Sequence, residues 1–311
     1  MNQLKNLYNA VDNLYMGKNW RTYLDTFLFG CRVRRLTEAT INVYAERLGH
    51  LARYLDSQRI DIDNLTKRDL QGYVLSLLGT VSDETVNGRI RAYRRFFNYL
   101  EEEGAWEGKP NPTRGLKMVK CERKVKEVVT PTEYELALSC LNRRSFEGYR
   151  NFALMLLAWD GMLRRAEIAG LATEHVDLKS GLVRVFGKGR KWREVPVGAK
   201  AIKVLHYYLT RFRAELGGDK LFCAKDGKPL SYRHIHQIFE RTGNRCGIKL
   251  APHLIRHSAA THYLRLGGSP AILSRIMGHT SLAVTSVYAH LMPTDLVNSY
   301  EQYSPANSLH V

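Results

Sequence analysis

The first third of the chain has a helical pattern of apolar residues. From residue 20 to 103, apolar side chains recur every three or four positions, the spacing that places them on one face of an α-helix. The pattern predicts one helix over residues 20–33 and three more after Thr37, Thr66 and Ser82. The hydroxyls of these three residues can accept a hydrogen bond from the first free backbone N–H groups of a helix.

The second half of the chain has a helical pattern that is interrupted by one alternating stretch. Thr130 and Pro131, followed by Glu133, form a typical helix start, and the pattern then predicts helices over 132–141 and 148–162. Residues 182–186 and 193–197 alternate instead, around a glycine-containing turn at 187–191, which predicts a β-hairpin. Helical spacing then returns to the end. We therefore predict a mainly α fold with a small β-sheet or hairpin.

The two patterned regions are separated by residues 106–128. This stretch contains two prolines and two glycines, which oppose a continuous helix, and seven basic residues against three acidic ones. We interpret it as a basic linker, either extended along a DNA backbone or simply solvated. The predicted organisation is an N-terminal extension, a helical domain, the linker and a second domain with a C-terminal tail, over residues 1–19, 20–105, 106–128 and 129–311.

The net charge of the chain indicates what kind of molecule it binds. Forty-seven Lys and Arg residues against thirty Asp and Glu residues give a net charge of +17. Such an excess indicates a polyanionic partner, nucleic acid first, although a basic protein without one is the alternative. Basic residues within the fourth helix, Arg89, Arg91, Arg94 and Arg95, fit a DNA contact and a solvated helix face equally well.

The five cysteines and the apolar runs bear on the compartment. The cysteines are odd in number and form no CxxC pair, which argues for reduced thiols and against a disulfide framework. No apolar run reaches the length of about 18–20 residues that a membrane-spanning helix needs, and the amino terminus does not resemble a secretory signal. We therefore expect a cytoplasmic protein with no membrane partner.

Four clusters of residues could carry chemistry. Arg164 and Arg165 follow an apolar helix, where a guanidinium is costly unless it meets an anion; an ion pair with Glu167 is the alternative to a substrate. Lys188 lies between two glycines at the predicted hairpin tip. It either reaches a substrate or is ordinary turn decoration.

The other two clusters lie near the carboxyl end. His253 and Arg256 share a face if the segment is helical. His253 and His257 also suggest a metal pair, but no Glu follows His253 and Arg256 would repel a cation, so we predict no metal site and no cofactor. The last cluster comprises Gly278-His279 and, nine residues on, Tyr288. A tyrosine on an apolar helix is usually a core residue.

In this order, the four clusters resemble the catalytic domain of the tyrosine recombinase (phage-type integrase) family. The resemblance covers residues 20 to 303, and the helical first domain is similar to the family's SAM-like core-binding domain. Each segment is moderately specific, and the ordered set is highly specific. The matching segments are GMLRRAEIAGL, FGKGRKWREVPV, HLIRHSAATHYL and MGHTSLAVTSVYAHL.

The resemblance implies a set of six catalytic residues, namely Arg164, Lys188, His253, Arg256, His279 and Tyr288. Arg164 is chosen because the family's acidic residue falls three positions after its arginine, as Glu167 does. The family commonly has glycine two positions before that arginine, where this chain has Met162, so Arg165 stays the alternative.

The implied activity is site-specific recombination of DNA through a 3′-phosphotyrosine intermediate. In it the two arginines bind the phosphate, Tyr288 is the nucleophile, His253 the base, Lys188 the acid and His279 a hydrogen-bond partner of the phosphate. The implied partners are double-stranded DNA with specific recombination sites and three further copies of the chain, in a homo-tetramer joined through the tail at 291–303. That tail could instead pack on its own domain.

The resemblance points to an Xer-like or transposon-encoded enzyme of integration, excision or resolution. Two alternative functions stay open. A type IB topoisomerase would use the same nucleophile to relax supercoils, and a DNA-binding regulator would keep the fold without catalysis.

Overall fold

The computed structural model describes residues 18–121, 127–187 and 191–278. The chain divides into two compact units, within residues 1–124 and 125–311. The described part of the first unit is helical, and that of the second adds one small sheet. The helices are α1 (Lys18–Val33), α2 (Glu38–Ser57), α3 (Lys67–Leu77), α4 (Asp83–Glu102), α5 (Pro131–Ser139), α6 (Phe146–Asp160), α7 (Arg165–Gly170), α8 (Ala199–Tyr208), α9 (Tyr232–Arg245), α10 (Pro252–Arg265) and α11 (Pro270–Met277).

Helix starts in the first unit lie where polar residues predict them. Thr37 and Ser82 each accept a hydrogen bond from the backbone three residues on, and Thr66 forms a reciprocal capping box with Asp69. The apolar faces of α1–α4 then meet in one core in which aromatic rings pack edge to face, as Phe27 does on Phe96. This confirms the helical prediction for the first unit.

Trp106 lies within the stretch predicted as a linker and is packed on the first unit. Its side chain is 2% exposed, and its ring meets Tyr23 and Phe97 at centroid distances of 5.4 and 5.1 Å. An extended, solvated tether would leave this ring in water. Burial of a large aromatic surface stabilises the packed arrangement instead.

The chain stays attached to the first unit beyond Trp106. Leu116 is buried in the same core. The side-chain amide of Asn87 donates to the carbonyl of Val119 at 2.9 Å and accepts from its N–H at 2.8 Å, as a neighbouring strand would. Prolines and glycines do prevent a helix here, but tertiary contacts give the described residues up to 121 a defined path.

Helices α5 and α6 begin the second unit. Thr130 and Glu133 form the predicted capping box, with Pro131 as the first helical residue. Helix α6 ends at Asp160, two residues earlier than the apolar pattern predicts, because Met162 has a φ of +49°. An L-residue in that left-handed conformation cannot continue a right-handed helix.

The sheet is antiparallel with the strand order β1 (Val176–Asp177), β2 (Leu182–Phe186) and β3 (Trp192–Pro196). Leu182 pairs with Pro196 and Phe186 with Trp192, so β2 and β3 form the predicted hairpin. Its inward face buries Val183, Val185 and Val195 in the core of the unit. Strand β1 has two residues, too few for the alternation that predicts a strand.

Helices α10 and α11 close the described part of the second unit. They form a second small core with the end of α6, made by Met162, Ala259, Ala260, Leu264, Leu273 and Met277. Helix α11 ends at Met277, and Gly278 after it has a φ of +60°. In the described ranges, no helix is both long and apolar enough to cross a bilayer.

Candidate active site

The buried carboxylate of Glu167 forms ion pairs with three arginines. Its side chain is 2% exposed. Arg164 donates from Nη1 to Oε1 at 2.8 Å, and Arg193 donates from Nη1 to Oε1 at 2.6 Å and from Nη2 to Oε2 at 3.0 Å. Nη1 of Arg256 lies 3.7 Å from Oε2. Three guanidiniums against one carboxylate leave an excess of two positive charges, which favours an anion at this place.

Local sequence explains how Arg164 and Glu167 meet. Arg164 is the residue before α7, with extended backbone, and Glu167 is the third residue of that helix. The Glu167 carboxylate accepts the backbone N–H of Arg164 at 2.7 Å, the geometry of a capping interaction. The ion pair that the sequence offered as an alternative to a substrate contact is therefore present. Yet 31% of the Arg164 side chain stays exposed, so a ligand can still reach it.

Arg256 is buried and bound by backbone carbonyls at the ends of two helices. Its Nη1 donates to the carbonyl of Met162 at 2.6 Å and its Nη2 to the carbonyl of Met277 at 2.7 Å. Arg256 thus links the end of α6 to the end of α11. His253, three residues earlier, is exposed in the first turn of the same helix.

The surroundings of Glu167 keep it ionised. Burial acts to raise the pKa of its carboxyl group, but hydrogen bonds from Arg193 and from the Arg164 backbone, with the nearby positive charge, outweigh burial and lower the pKa below its ordinary value. The ionised Glu167 carboxylate holds the neighbouring guanidiniums in fixed orientations.

Arg165 points away from this cluster. Its guanidinium carbon lies 3.4 Å above the centre of the Tyr232 ring, a cation–π contact. The backbone at Met162 supports the same assignment, because its positive φ is a conformation that glycine adopts without strain. Met162 stands at the position where the family commonly has glycine, two before Arg164. Both observations agree with the choice of Arg164, which stays a prediction.

Three of the six predicted residues, Lys188, His279 and Tyr288, lie outside the described residues. The residues directly before the first two are described. A β-carbon added to Gly187 would lie 3.0 Å from Nη1 of Arg193, and one added to Gly278 would lie 3.0 Å from Cδ of Arg193. The chain therefore enters both motifs beside the arginine cluster.

Sequence reasoning missed Arg193. Arg193 lies on the same face of the chain as Val195 in β3 and Val197 directly after it, both of which are buried. An arginine therefore occupies the inward face of a strand. That break in the pattern was the available signal. Within the described ranges no three His, Cys, Asp or Glu side chains lie together as metal ligands would; independence from a metal stays a prediction.

Comparison with known proteins identifies the family. The model of the phage integrase family matches residues 127–294, and that of the phage integrase N-terminal SAM-like domain matches residues 25–104. The chain is 30% identical over 277 residues to tyrosine recombinase XerD of Shewanella oneidensis, covering 87% of this chain and 92% of that protein. It is 32% identical over 290 residues to tyrosine recombinase XerC of Pseudomonas aeruginosa, covering 92% and 95%.

Solved structures share the fold. XerH site-specific recombinase bound to palindromic difH substrate has a TM-score of 0.71 at 22% identity, covering 88% of this chain and 82% of that one. The Tn1549 transposon integrase in complex with transposon right end DNA also has a TM-score of 0.71, at 18% identity, covering 90% and 98%. The predicted fold class is confirmed. With the family model matching more than half of the residues, the chain belongs to the phage integrase family and is a tyrosine recombinase, an enzyme that breaks and rejoins DNA strands.

Proposed function

We propose that this recombinase cuts and rejoins double-stranded DNA at specific sites through a covalent link between Tyr288 and a 3′ phosphate. The observation that supports it most is the pair Arg164 and Arg256, held on one buried carboxylate with an excess of positive charge around it. A phosphodiester is an anion and repels a nucleophile until its charge is neutralised.

The two arginines would serve that purpose in different ways. Arg256 is buried and oriented by two carbonyls, whereas Arg164 is partly exposed. Guanidiniums form paired hydrogen bonds to phosphate oxygens. Because Glu167 and the carbonyls fix them before DNA arrives, little reorganisation is needed as charge builds up on the phosphate in the transition state.

The remaining four predicted residues supply the nucleophile, its base, the acid and a further hydrogen bond to the phosphate. The phenol oxygen of Tyr288 attacks phosphorus and passes its proton to His253, while the bond from phosphorus to the 5′ oxygen breaks. Tyrosine has a reference pKa of about 10, so the base is needed. Lys188 gives a proton to the leaving 5′ oxygen, and His279 hydrogen-bonds the phosphate. A 5′ hydroxyl from another strand reverses the step without ATP.

The test uses a nicked suicide substrate that traps the cleaved state. The full-length protein should form an SDS-resistant adduct with DNA in EDTA, without divalent metal. Tyr288→Phe should bind the same DNA and form no adduct. An adduct that survives in Tyr288→Phe would overturn the assignment of the nucleophile. Plasmid relaxation by the unmodified protein, without a recombinant product, would replace recombination by topoisomerase activity.

We also propose that four copies assemble on two DNA sites through the tail at 291–303, which lies outside the described residues. Leu296, Tyr300 and Tyr303 recur near helical spacing, which fits a helix that packs on a neighbouring subunit. Truncation before Leu296 should reduce cooperative binding to paired sites and leave the unfolding temperature unchanged. Unchanged cooperativity would exclude this role.

A further inference from the structure

We propose that Arg193 is a positioning residue that holds Gly187, the residue before Lys188, against the Arg164–Glu167 pair. This inference rests on the proposed function, in which Lys188 protonates the leaving oxygen. It concerns a residue outside the predicted catalytic set, on strand β3, whose side chain is 14% exposed.

Arg193 joins three elements at one point. Its two terminal nitrogens bind both oxygens of Glu167 on α7, and its Nε donates to the carbonyl of Ile276 near the end of α11 at 2.8 Å. The planar guanidinium presents these donors in a fixed fork, which a lysine ammonium cannot reproduce. The contacts therefore fix the orientation of β3 as well as its distance from α7.

The turn of the hairpin begins at the same place. The backbone N–H of Gly187 donates to the carbonyl of Lys191 at 2.9 Å and closes the base of the turn. A β-carbon on Gly187 would lie 3.0 Å from Arg193 and 3.5 Å from Oε1 of Glu167, so the Gly187 backbone lies directly on the ion pair. Lys188 follows Gly187 in the sequence.

Loss of the Arg193 fork should affect the hairpin more than the phosphate-binding pair. Without it, Glu167 still has its hydrogen bonds to Arg164, whereas β3 loses three hydrogen bonds to α7 and α11. A general acid must lie within hydrogen-bond reach of the atom that it protonates. A displacement of the Lys188 turn should therefore slow the departure of the 5′ oxygen while DNA binding persists.

A substrate with sulfur in place of the bridging 5′ oxygen isolates this step. Tyr288 attacks phosphorus, the phosphorus–sulfur bond breaks, and the electron pair leaves on sulfur as a thiolate. With a reference thiol pKa of about 8.5, the thiolate needs no proton from an acid. A defect in leaving-group protonation is thus corrected by sulfur, and a defect in phosphate binding is not.

The experiment measures the rate of adduct formation by full-length variants on both substrates, at saturating DNA. Arg193→Lys keeps the positive charge beside Glu167 but lacks the fork. We expect it to slow cleavage of the oxygen substrate by about 10- to 100-fold, the size of a roughly 1 Å misplacement, and to cleave the sulfur substrate within about 3-fold of the unmodified rate. Lys188→Ala should show the same selective recovery, and adding Arg193→Lys to it should slow the oxygen substrate little further, since both act on one step.

Arg184→Lys is the matched control, because Arg184 lies on the neighbouring strand and is exposed; its rates should stay unchanged on both substrates. If Arg193→Lys fails to fold, Arg193→Gln is tested in the same way, because it leaves Glu167 and its hydrogen bonds to Arg164 in place. Equal slowing on both substrates, or no slowing on either, would overturn the positioning role. Failure of the unmodified protein to form any adduct would instead overturn the proposed function itself.

Discussion

Arg193 and Glu167 lie 26 residues apart in the chain and face each other through two hydrogen bonds of 2.6 and 3.0 Å. Both side chains are largely buried. The pair ties the β-hairpin to the helix that begins after Arg164, so one ion pair couples the two segments that carry the predicted acid and the first predicted phosphate ligand.

Replacement of Glu167 by alanine should strongly destabilise the second unit. It removes the shared partner of Arg164 and Arg193 and leaves buried positive charge uncompensated, which costs about 3–5 kcal/mol. Urea denaturation of the full-length protein measures the free energy of unfolding. Glu174→Ala, at a side chain that is 81% exposed, should cost less than about 0.5 kcal/mol. Equal costs at the two positions would contradict the role of Glu167.

The contribution of Glu167 should depend on pH in a defined direction. Burial raises the pKa of its carboxyl group, but hydrogen bonds from Arg193 and Arg164 lower that pKa by more than burial raises it. The folded-state pKa is therefore below the unfolded value, which is about 4.3. The resulting stability is complete above the unfolded pKa and is lost as pH falls through the folded one. The difference in unfolding free energy between the unmodified protein and Glu167→Gln should therefore shrink on acidification below about pH 4.3. A difference independent of pH down to unfolding would contradict it.

Replacement of Arg164 should mainly lower the reaction rate, whereas replacement of Arg165 should mainly lower stability. Arg164→Ala should lower the rate of adduct formation by at least about 100-fold, in line with loss of a charge-stabilising donor. Arg165→Ala loses a cation–π contact with Tyr232, so it should keep the rate within a few-fold and reduce stability by about 1 kcal/mol. The reverse pattern of rates on the suicide substrate would move the assignment to Arg165.

At position 162, glycine should give a more stable protein than alanine. Both replacements lose a side chain that packs in the small core near α10 and α11, but only glycine relieves the positive φ of +49°. Met162→Gly should therefore unfold with a free energy about 1 kcal/mol higher than that of Met162→Ala. At Ala260, in the regular helix α10, the order should reverse, and Ala260→Gly should cost about 1 kcal/mol. If alanine is the more stable residue at both positions, the strain at Met162 is absent.

Trp106 should behave as a core residue of the first unit. Trp106→Ala should lower the free energy of unfolding of that unit by about 3–5 kcal/mol, as for other buried aromatic residues. Phe29→Ala, at a side chain that is 65% exposed in the same unit, should cost less than about 1 kcal/mol. Scanning calorimetry resolves the transition. Tolerance of Trp106→Ala would restore the interpretation of a solvated tether from residue 106 onward.

The sequence by itself determined the local features of this protein. The capping residues Thr66 and Thr130 mark helix starts because their partners lie three residues away. The β2–β3 hairpin follows from an alternation confined to residues 182–196. The ordered motifs were enough to predict the family, which the comparisons confirm. The roles of Lys188, His253, His279 and Tyr288 stay predictions.

Only the tertiary structure decided the features that join distant residues. Nothing near Arg193 in the sequence indicates that its partner is Glu167, and nothing near Trp106 indicates that Tyr23 and Phe97 bury it. Met162, whose backbone is left-handed, likewise follows the end of α6, and its carbonyl accepts a hydrogen bond from the distant Arg256. Periodicity and capping act over a few residues, whereas a buried charge or ring is stabilised by whatever the fold brings beside it, and that is set by the packing of the whole unit.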